Sequence, residues 1–294
     1  MSDLLQFAFS GIMIGSVYGL VAVGFCIVYN ATEAINFAQG EFVMLGGMMA
    51  AVIFKSWGWP LPLVFFLAVT AALLLGLICE KMTFGLCRDP RVLNLIIVTI
   101  GLAIAMKGAV MMIWGKFPKD LPAFSGEKPL FVLGATLMPQ AIWIVLISVA
   151  VMLFMRFFLE KTTLGTAMRA AAADKVAASL VGIPVRWVST LSFGIASGIG
   201  AVAGVTLTPV TLTSYDHGTM MGLKGFCAAI LGGMGNVYGG FLGGIVLGVV
   251  EAFAAGWGSS GYREVVAFLC LLLILFIRPS GILGETGRER IAKI

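Results

Sequence analysis

Nine long apolar stretches account for most of this 294-residue chain, and they constrain its fold more than any other feature. The chain is 60% hydrophobic and 11% charged, with a mean hydropathy of +1.05, whereas soluble domains carry about 25% charged residues. Each stretch is about 20 residues long and lacks period-two alternation, which is typical of a membrane-spanning helix and not of a barrel strand. We therefore expect an all-α polytopic membrane protein of about eight or nine transmembrane helices, with residues 1–294 forming a single transmembrane domain.

The predicted spans differ in how clearly the sequence indicates a membrane-spanning helix. The seventh is the weakest because it carries Lys224 and several glycines, so we expect a broken or re-entrant segment there. The first follows Asp3 and not a positively charged region, and it lacks a small-residue cleavage site, so we expect a retained membrane helix. The spans run over Leu4–Tyr29, Ala34–Phe54, Leu61–Glu80, Val92–Trp114, Gln140–Phe158, Trp187–Thr208, Thr219–Met234, Gly239–Phe253 and Tyr262–Ile277.

The distribution of lysine and arginine predicts the orientation, because cytoplasmic loops of membrane proteins carry an excess of both. With nine crossings, the richer side holds the C-terminus, while the N-terminus and the loop of residues 115–139 lie outside. The net charge of +5 then follows from topology, and no nucleic-acid partner is expected. The richer side carries Lys81, Arg88, Arg91, Arg156, Lys161, Arg169, Lys175, Arg186, Arg278, Arg288, Arg290 and Lys293; the other carries Lys55, Lys116, Lys119, Lys128 and Arg263; Lys107 and Lys224 fall within spans.

The chain lacks residues that several classes of catalytic site require. His217 is the only histidine, so neither a histidine metal site nor a Ser-His-Asp triad is expected. No GxxxxGK[ST] phosphate loop occurs, so ATP hydrolysis by that route would have to take place on another subunit. The five cysteines have no CxxC spacing, and we expect no disulfide framework. They are Cys26, Cys79, Cys87, Cys227 and Cys270.

One basic segment, residues 162–185 (TTLGTAMRAAAADKVAASLVGIPV), interrupts the apolar stretches. It is too polar to span a membrane, is rich in alanine, and ends at Gly182 followed by Pro184, which predicts a short helix and its end. Arg169 and Asp174 lie on this helix, on the predicted cytoplasmic side. Two roles are compatible with the pattern: docking into a groove of a soluble motor protein, or resting on lipid headgroups as an amphipathic helix.

Several motifs resemble one family of transport proteins. The pattern Arg169-Ala170-x-Ala172-x-Asp174-x-x-x-Ala178-x-Leu180-x-Gly182-Ile183 resembles the cytoplasmic coupling segment of ABC importer permeases of the branched-chain amino acid class. The sequence INFAQGE (residues 35–41) is similar to the INFAHGE-type signature of that class, with Gln39 in place of the usual histidine. Further matches are GSVYGL at residues 15–20, GGMG at residues 232–235 and RPxGILG at residues 278–284. Together they span essentially the whole chain and resemble the LivH-type subunit more than the longer LivM-type subunit.

The resemblance implies a non-catalytic permease of the bacterial inner membrane that works by alternating access. Its implied partners are a second homologous permease of the LivM type, two ATP-binding cassette subunits and an extracytoplasmic substrate-binding protein. The implied substrate is a branched-chain or related small hydrophobic amino acid. ATP and magnesium would bind the partner subunits, and no cofactor is implied in this chain. The residues implied in ATPase coupling are Gly165, Arg169, Asp174, Ala178, Leu180 and Gly182.

Polar residues near the start of the second span are candidates for the substrate path. Asn36, Gln39 and Glu41 lie between two apolar runs, and polar groups at membrane depth often face a cavity. Their amide and carboxyl groups could meet a zwitterion, or they could cap helix ends and stabilise a bend. Thr99 and Thr208 are further candidates, although threonine hydroxyls commonly bond back to their own helix.

Glycine-rich features allow both structural and functional interpretations. The run of residues 231–236 favours an irregular turn, and Gly232 and Gly233 in it could present backbone groups to substrate. Glycines at four-residue spacing predict close helix packing and could also let helices slide. These stripes are Gly11, Gly15 and Gly19; Gly194 and Gly198; Gly200 and Gly204; and Gly240, Gly244 and Gly248.

Charged residues inside the spans need partners, and we expect Lys224 to pair with Glu251. The loop of residues 115–139 is rich in proline and charge, so it is either a docking surface for a binding protein or a solvated connector. Trp57, Trp59, Trp114 and Trp257 fall near predicted outer ends, as in an aromatic belt.

Two function classes remain open on the residues alone. The first is an ATP-driven importer subunit, and the second is a self-sufficient channel or ion-coupled carrier. A carrier needs an intramembrane carboxylate, for which Glu251 is the candidate. Within the importer class, urea, amides or other amino acids are alternative substrates.

Overall fold

The computed structural model describes residues 2–83, 91–126, 128–132, 134–257, 261 and 263–284. Over these residues the chain is a bundle of helices with one small hairpin. The helices are α1 (Ser2–Thr32), α2 (Gln39–Trp57), α3 (Leu61–Thr83), α4 (Val92–Trp114), α5 (Pro139–Lys161), α6 (Thr163–Ala173), α7 (Lys175–Leu180), α8 (Val185–Thr211), α9 (His217–Gly232), α10 (Val237–Trp257) and α11 (Arg263–Ile277); the strands are β1 (Leu130–Val132) and β2 (Ala135–Leu137). The predictions that concern Cys87, Arg88, Arg288, Arg290 and Lys293 fall outside the described residues.

Each of the nine predicted apolar stretches overlaps one helix, which confirms the all-α membrane fold. Among the described residues, six helices are long and apolar enough to cross a membrane: α1, α3, α4, α5, α8 and α10. The other three apolar helices, α2, α9 and α11, are shorter, and α9, with 16 residues, is about 24 Å long. The fold therefore combines full-length spans with helices that begin or end at depth.

Glycine stripes let the most buried helices approach closely. A Cβ atom at Gly15 of α1 would lie 2.7 Å from the carbonyl oxygen of Gly244 in α10, and one at Gly11 would lie 2.6 Å from Val249 Cα. Gly204 of α8 packs in the same way against the backbone of Val43 in α2. Because lipid offers no hydrophobic force between helices, such close backbone packing supplies van der Waals stabilisation. The packing interpretation is confirmed for the stripes of α1 and α10 and for Gly204, whereas a Cβ at Gly198 would meet Leu73 only at an ordinary distance of 3.6 Å.

The second span begins later than predicted, at Gln39 and not at Ala34. Asn36 explains the delay, because its side-chain oxygen accepts from the N–H of Ala38 at 3.1 Å and its carbonyl accepts from the N–H of Gln39 at 3.1 Å. Asparagine readily forms such local bonds in place of helical ones. Residues 33–38 are consequently not helical, and Glu33 has a φ of 60°.

The start of α2 lies well inside the bundle. The Gln39 side chain bonds the carbonyl of Ala196, whereas the carbonyl of Ala31 at the end of α1 accepts from the Ser189 hydroxyl. Ser189 and Ala196 are seven residues apart on α8, which corresponds to about 10 Å along the axis. The polar stretch of residues 33–41 therefore rises into the bundle by about this distance.

Over the seventh predicted span, Thr219–Met234, helix α9 is continuous as far as Gly232, so of the two predicted alternatives, broken or re-entrant, a break occurs only at the end of the span. The break comes immediately afterwards, where residues 233–236 form a turn before α10. Gly233 and Gly235 in this turn have φ values of 110° and 94°, a region that favours glycine. The irregular turn predicted from the glycine cluster is confirmed.

The basic segment forms two helices and not the single one predicted. Asp174 ends α6 and caps α7, since its carboxylate accepts from the N–H groups of Val176 at 2.8 Å and Ala177 at 3.0 Å. An aspartate at this position favours a new helix start over continuation of the old one. The predicted end is confirmed, because α7 stops at Leu180 and Gly182 has a φ of 86°.

The loop of residues 115–139 contains structure that the sequence interpretation missed. Strands β1 and β2 pair as an antiparallel hairpin, and the side chain of Gln6 bonds the backbone of Thr136 at 2.8 and 3.0 Å. The backbone of Lys119 also pairs with the backbone of Thr213 in an isolated antiparallel bridge. These contacts hold the loop against the starts of α1 and α9.

Trp57, Trp114 and Trp257 are each the last residue of a helix, as the belt prediction requires.

Candidate functional site

The N-terminal turns of α2 and α9 meet at depth in the bundle. Cβ atoms at Gly40 and Gly222 would lie 2.6 Å and 3.2 Å from backbone atoms of the opposite helix, and Gly218 lies against the carbonyl of Gly40. This backbone-to-backbone contact requires glycine on both sides. Two helix starts, each with partial positive charge, are thereby brought together.

Glu41 lies at this junction and is 2% exposed. Its Oε1 accepts from the hydroxyl of Thr219 in α9 at 3.0 Å. Its Oε2 has no hydrogen-bond partner among the described residues, although a Cβ on Gly218 would lie only 2.5 Å from it. The predicted site residue is therefore buried between two helices with half of its bonding capacity unused.

Gln39 points to the opposite side of the same helical turn. Its Nε2 donates to the carbonyl of Ala196 at 2.9 Å, and its amide lies against Gly24 of α1 and Gly200 of α8. Its Oε1 is buried without a partner among the described residues. The structure therefore does not bring Gln39 and Glu41 to one site, since Gln39 fills the space between α1 and α8.

Asn36 and Thr99 stabilise the irregular segment before α2. The Thr99 hydroxyl accepts from the N–H of Phe37 at 3.2 Å and donates to the carbonyl of Ile96 at 2.8 Å. Asn36 uses its oxygen for the local turn, while its Nδ2 is buried without a described partner. Thr99 bonds back to its own helix, as threonines commonly do, and the local turn at Asn36 leaves its Nδ2 without a described partner.

More charged and polar groups surround the Glu41 junction. Lys107 of α4 places its Nζ 5.6 Å from the centre of the Tyr215 ring and interacts electrostatically with Glu41 and Asp216. In the loop before α9, the Ser214 hydroxyl donates to Asp216 and thereby lowers the pKa of that carboxyl. The junction thus combines acids, a lysine and hydroxyl groups. We call Glu41, Lys107, Tyr215, Asp216 and Thr219 the α2/α9 polar cluster.

The remaining predicted path residues lie elsewhere. Thr208 donates to the carbonyl of Gly204 at 2.7 Å and lines a crevice too narrow for water, beside His217. Gly232 packs against Gly239 and Gly240 of α10, and its carbonyl accepts from the N–H of Leu283 at 3.0 Å, whereas Gly233 packs against Ser280 and Gly284. Gly232 therefore allows close approach of α10, and Gly233 allows close approach of the segment after α11.

Lys224 and Glu251 form the predicted buried pair. Lys224 Nζ lies 2.5 Å from Glu251 Oε1 and donates to the hydroxyl of Tyr18 at 3.1 Å. The three residues come from α9, α10 and α1, so the pair joins three helices at depth. The expectation that neither charge faces lipid alone is confirmed.

The residues assigned to ATPase coupling divide into a buried and an exposed set. Gly165 and Ala178 are buried, and a Cβ at Gly165 would clash with the end of α5. The exposed set is Arg169, Asp174, Leu180 and Gly182. Around α7 the structure also exposes Val176 at 69%, Leu180 at 82% and Val181 at 77%. An apolar tip therefore projects from the α6–α7 pair.

The α6–α7 pair contacts the segment that leads to Glu41. Lys175 of α7 forms an ion pair with Glu33 at 3.3 Å, and Glu33 begins the irregular stretch of residues 33–38. Beside it, a cavity of about 50 Å³ separates Met168 and Arg169 of α6 from Asn30 at the end of α1. A displacement of α7 would therefore act directly on the start of that stretch.

Sequence reasoning missed Lys107, Tyr215 and Thr219 as neighbours of Glu41. Lys107 stands out in the sequence as a charge inside a span, which is a usable signal, but its partner cannot be read from spacing. Thr219 and Tyr215 resemble ordinary helix and loop residues in the sequence. They join the site only because α9 starts beside α2.

Comparison with known proteins identifies the family. The family model described as the branched-chain amino acid transport system permease component matches residues 7–276. The chain is 35% identical to the high-affinity branched-chain amino acid transport system permease protein LivH of Escherichia coli (strain K12), over 98% of this chain and 97% of that protein. It is 33% identical to the corresponding permease protein BraD of Pseudomonas aeruginosa, over 98% of both chains.

A solved structure supports the same architecture. The fold is similar to a chain in the structure of PsaBC from Streptococcus pneumoniae in complex with Fab, with a TM-score of 0.53, 13% identity, and coverage of 95% of this chain and 93% of that chain. At that identity the likeness concerns the fold alone. The family model and the two permeases, by contrast, match the sequence over nearly its whole length, and the chain belongs to the family of branched-chain amino acid transport system permease components.

Proposed function

We propose that this chain is the permease subunit of an ATP-driven importer for branched-chain amino acids, acting in a bacterial inner membrane. Family membership makes it a transport component and not an enzyme. The substrate is proposed from the similarity to LivH and BraD, which are both named as branched-chain amino acid permeases. The orientation is proposed from charge, with the N-terminus outside and the C-terminus in the cytoplasm.

The observation that carries the proposal is the exposed α6–α7 pair. Val176, Leu180 and Val181 present apolar side chains on a short helix that is capped by Asp174 and anchored by the buried Ala178. Exposed apolar groups of this size on a charged, membrane-excluded segment favour a protein partner. We propose that this tip docks into an ATP-binding cassette subunit, which would bind ATP and magnesium.

The α6–α7 pair is also placed to transmit movement. Through the ion pair of Lys175 with Glu33, a shift of α7 would pull on residues 33–38 and hence on the first turn of α2. We propose that ATP-driven closure of the cassettes moves the α2–α9 junction by this route. The second, homologous permease would complete the path on the side of α2, α4 and α9, with a binding protein delivering substrate from outside.

A self-sufficient ion-coupled carrier is the less favoured alternative. Its candidate ion-binding carboxylate, Glu251, is buried and engaged by Lys224 at 2.5 Å. Binding a proton or Na⁺ there would require breaking a buried ion pair, which is costly. The geometry of Glu251 therefore supports a structural role and favours the importer.

Purification in mild detergent with identification of bound proteins tests the assembly directly. We expect recovery of a second permease and two P-loop ATPases, and leucine uptake by the reconstituted assembly only when ATP and a loaded binding protein are present. A lone chain that carries solute in liposomes without ATP would refute the proposal.

A paired substitution tests the docking surface. Leu180→Glu places a charge on the apolar tip, and we expect loss of the cassette subunits on purification while the permease remains folded. Phe131→Glu is the matched control, because Phe131 is equally exposed at 78% but lies on the hairpin of the outer loop. Retention of the cassettes by Leu180→Glu would place docking elsewhere.

A further inference from the structure

Charged groups of both signs meet at the α2/α9 polar cluster. Lys107 lies eight residues beyond Thr99 on α4, and Thr99 contacts residues 35–37. Eight residues of helix advance about 12 Å, so Lys107 lies within the apolar length of α4, partly exposed and about 12 Å along the helix from Thr99. A lysine and a glutamate at this depth are expected to face a partner or a water-filled path.

The bonding capacity of Glu41 is only half used. Its Oε1 accepts from Thr219, while Oε2 lacks a donor among the described residues, although Glu41 is only 2% exposed. Buried carboxyl oxygens in native proteins nearly always have a donor. Because Oε2 is buried against Gly218, a donor from outside this chain would reach it only when the contact between α2 and α9 opens.

Lys107 of α4 supplies a positive charge to the same cluster. Its ammonium group lies over the Tyr215 ring, a contact that leaves its N–H donors able to bond an anion. It is a partly exposed side chain of α4, and it interacts electrostatically with Glu41 and with Asp216. The same cluster thus offers an acceptor that lacks a donor and a cation that can receive a carboxylate.

We propose that the α2/α9 polar cluster is a head-group subsite for zwitterionic α-amino acids within the permease. Glu41 Oε2 accepts from the substrate ammonium group, and Lys107 donates to the substrate carboxylate. The inference rests on the proposed importer function and adds to it a recognition step inside the membrane. Gln39 is excluded from the subsite, because its amide lies on the opposite face of α2 between Gly24 and Gly200.

Uptake by the reconstituted complex tests the subsite. Glu41→Gln keeps the size of the side chain and removes the charge that holds an ammonium group. We expect the maximal rate of leucine uptake to fall about tenfold or more, while half-saturation by the loaded binding protein changes by less than about twofold, since docking occurs at the outer surface. Glu160→Gln is the matched control on an exposed carboxylate of α5, with uptake close to that of the wild type.

A second measurement keeps the proposal testable if Glu41→Gln does not assemble. Thr219 is exposed beside Glu41, so a Thr219→Cys complex can be treated with a small cationic methanethiosulfonate reagent. We expect the reaction to slow during leucine transport, because the substrate ammonium group competes for the same carboxylate. Ser125→Cys, on the outer loop, is expected to react at the same rate with and without transport.

The outcomes separate this inference from the importer function. Wild-type leucine uptake together with an unchanged rate for Glu41→Gln would overturn the subsite and leave the importer intact. Unchanged labelling of Thr219→Cys during transport would overturn it as well. Absence of ATP-dependent leucine uptake by the wild-type complex would instead refute the proposed function, on which the subsite depends.

Discussion

Single residues at depth in this protein are held by specific partners. Lys224 bonds both Glu251 and Tyr18, so one lysine connects α9 to α10 and α1. Glu41 connects α2 to α9 through Thr219, and Asn36 determines where α2 begins. Polar side chains in the bundle therefore specify which helices meet, in addition to any role in transport.

Substitution of Lys224 tests this structural role. We expect Lys224→Met to destabilise the folded permease by about 3–5 kcal/mol, because it removes the cation that pairs with the buried Glu251 carboxylate. The double variant Lys224→Met/Glu251→Leu removes both charges and should recover most of that loss. Thermal unfolding of the purified protein in detergent measures both effects, and a double variant as unstable as the single one would contradict the pairing argument.

At the scale of helices, close packing depends on glycine at defined positions. Stripes on α1, α8 and α10 each meet another backbone, whereas a Cβ atom added at Gly101 or Gly108 of α4 would have nothing within 4 Å among the described residues. The same residue type therefore has different roles on different helices. The central α1–α10 pair offers the most sensitive test of this difference between glycines that contact another helix and glycines that do not.

A matched pair of valine substitutions measures how much the stability of the bundle depends on glycine at each kind of position. We expect Gly15→Val to destabilise the bundle by about 1–3 kcal/mol or more, because its side chain would overlap the backbone of Gly244 and Ile245 in α10. Gly101→Val should leave the thermal stability of the isolated permease nearly unchanged. Equal stability of the two variants would show that α1 and α10 separate more easily than their packing indicates.

The whole molecule divides into a membrane bundle and two projecting regions, the β1–β2 hairpin and the α6–α7 pair. α5 connects these regions, since it begins at Pro139 after the hairpin and ends at Lys161 before α6. A helix of 23 residues is about 35 Å long, enough to cross a bilayer. The two regions therefore emerge on opposite sides of the membrane.

Cysteine labelling tests the proposed orientation. In intact cells, a membrane-impermeant maleimide should label Ser125→Cys in the outer loop and should not label Ser179→Cys on α7. After membrane disruption both positions should react, because both are exposed. Labelling of Ser179→Cys alone in intact cells would invert the topology.

The fold class, the approximate positions of the apolar helices and the family could all be predicted from the residues alone. These follow from local properties: the length of apolar runs, the glycine turn after α9, and motifs that can be matched along the chain. The end of the coupling segment at Gly182 and the expected partner of Lys224 could also be predicted, because a buried charge requires an opposite one.

The assembly of the site depends on packing between helices and could not be predicted from the residues. The late start of α2 depends on an asparagine turn, and the division of residues 162–185 depends on the cap at Asp174, two local bonds that compete with helix continuation. The separation of Gln39 from Glu41, and the approach of Lys107 and Thr219 to Glu41, depend on where α9 and α4 pack. The bond between Glu41 and Thr219 joins residues 178 positions apart in the chain and leaves no periodic signal in the sequence, because helix periodicity records which face is buried and not which helix covers it.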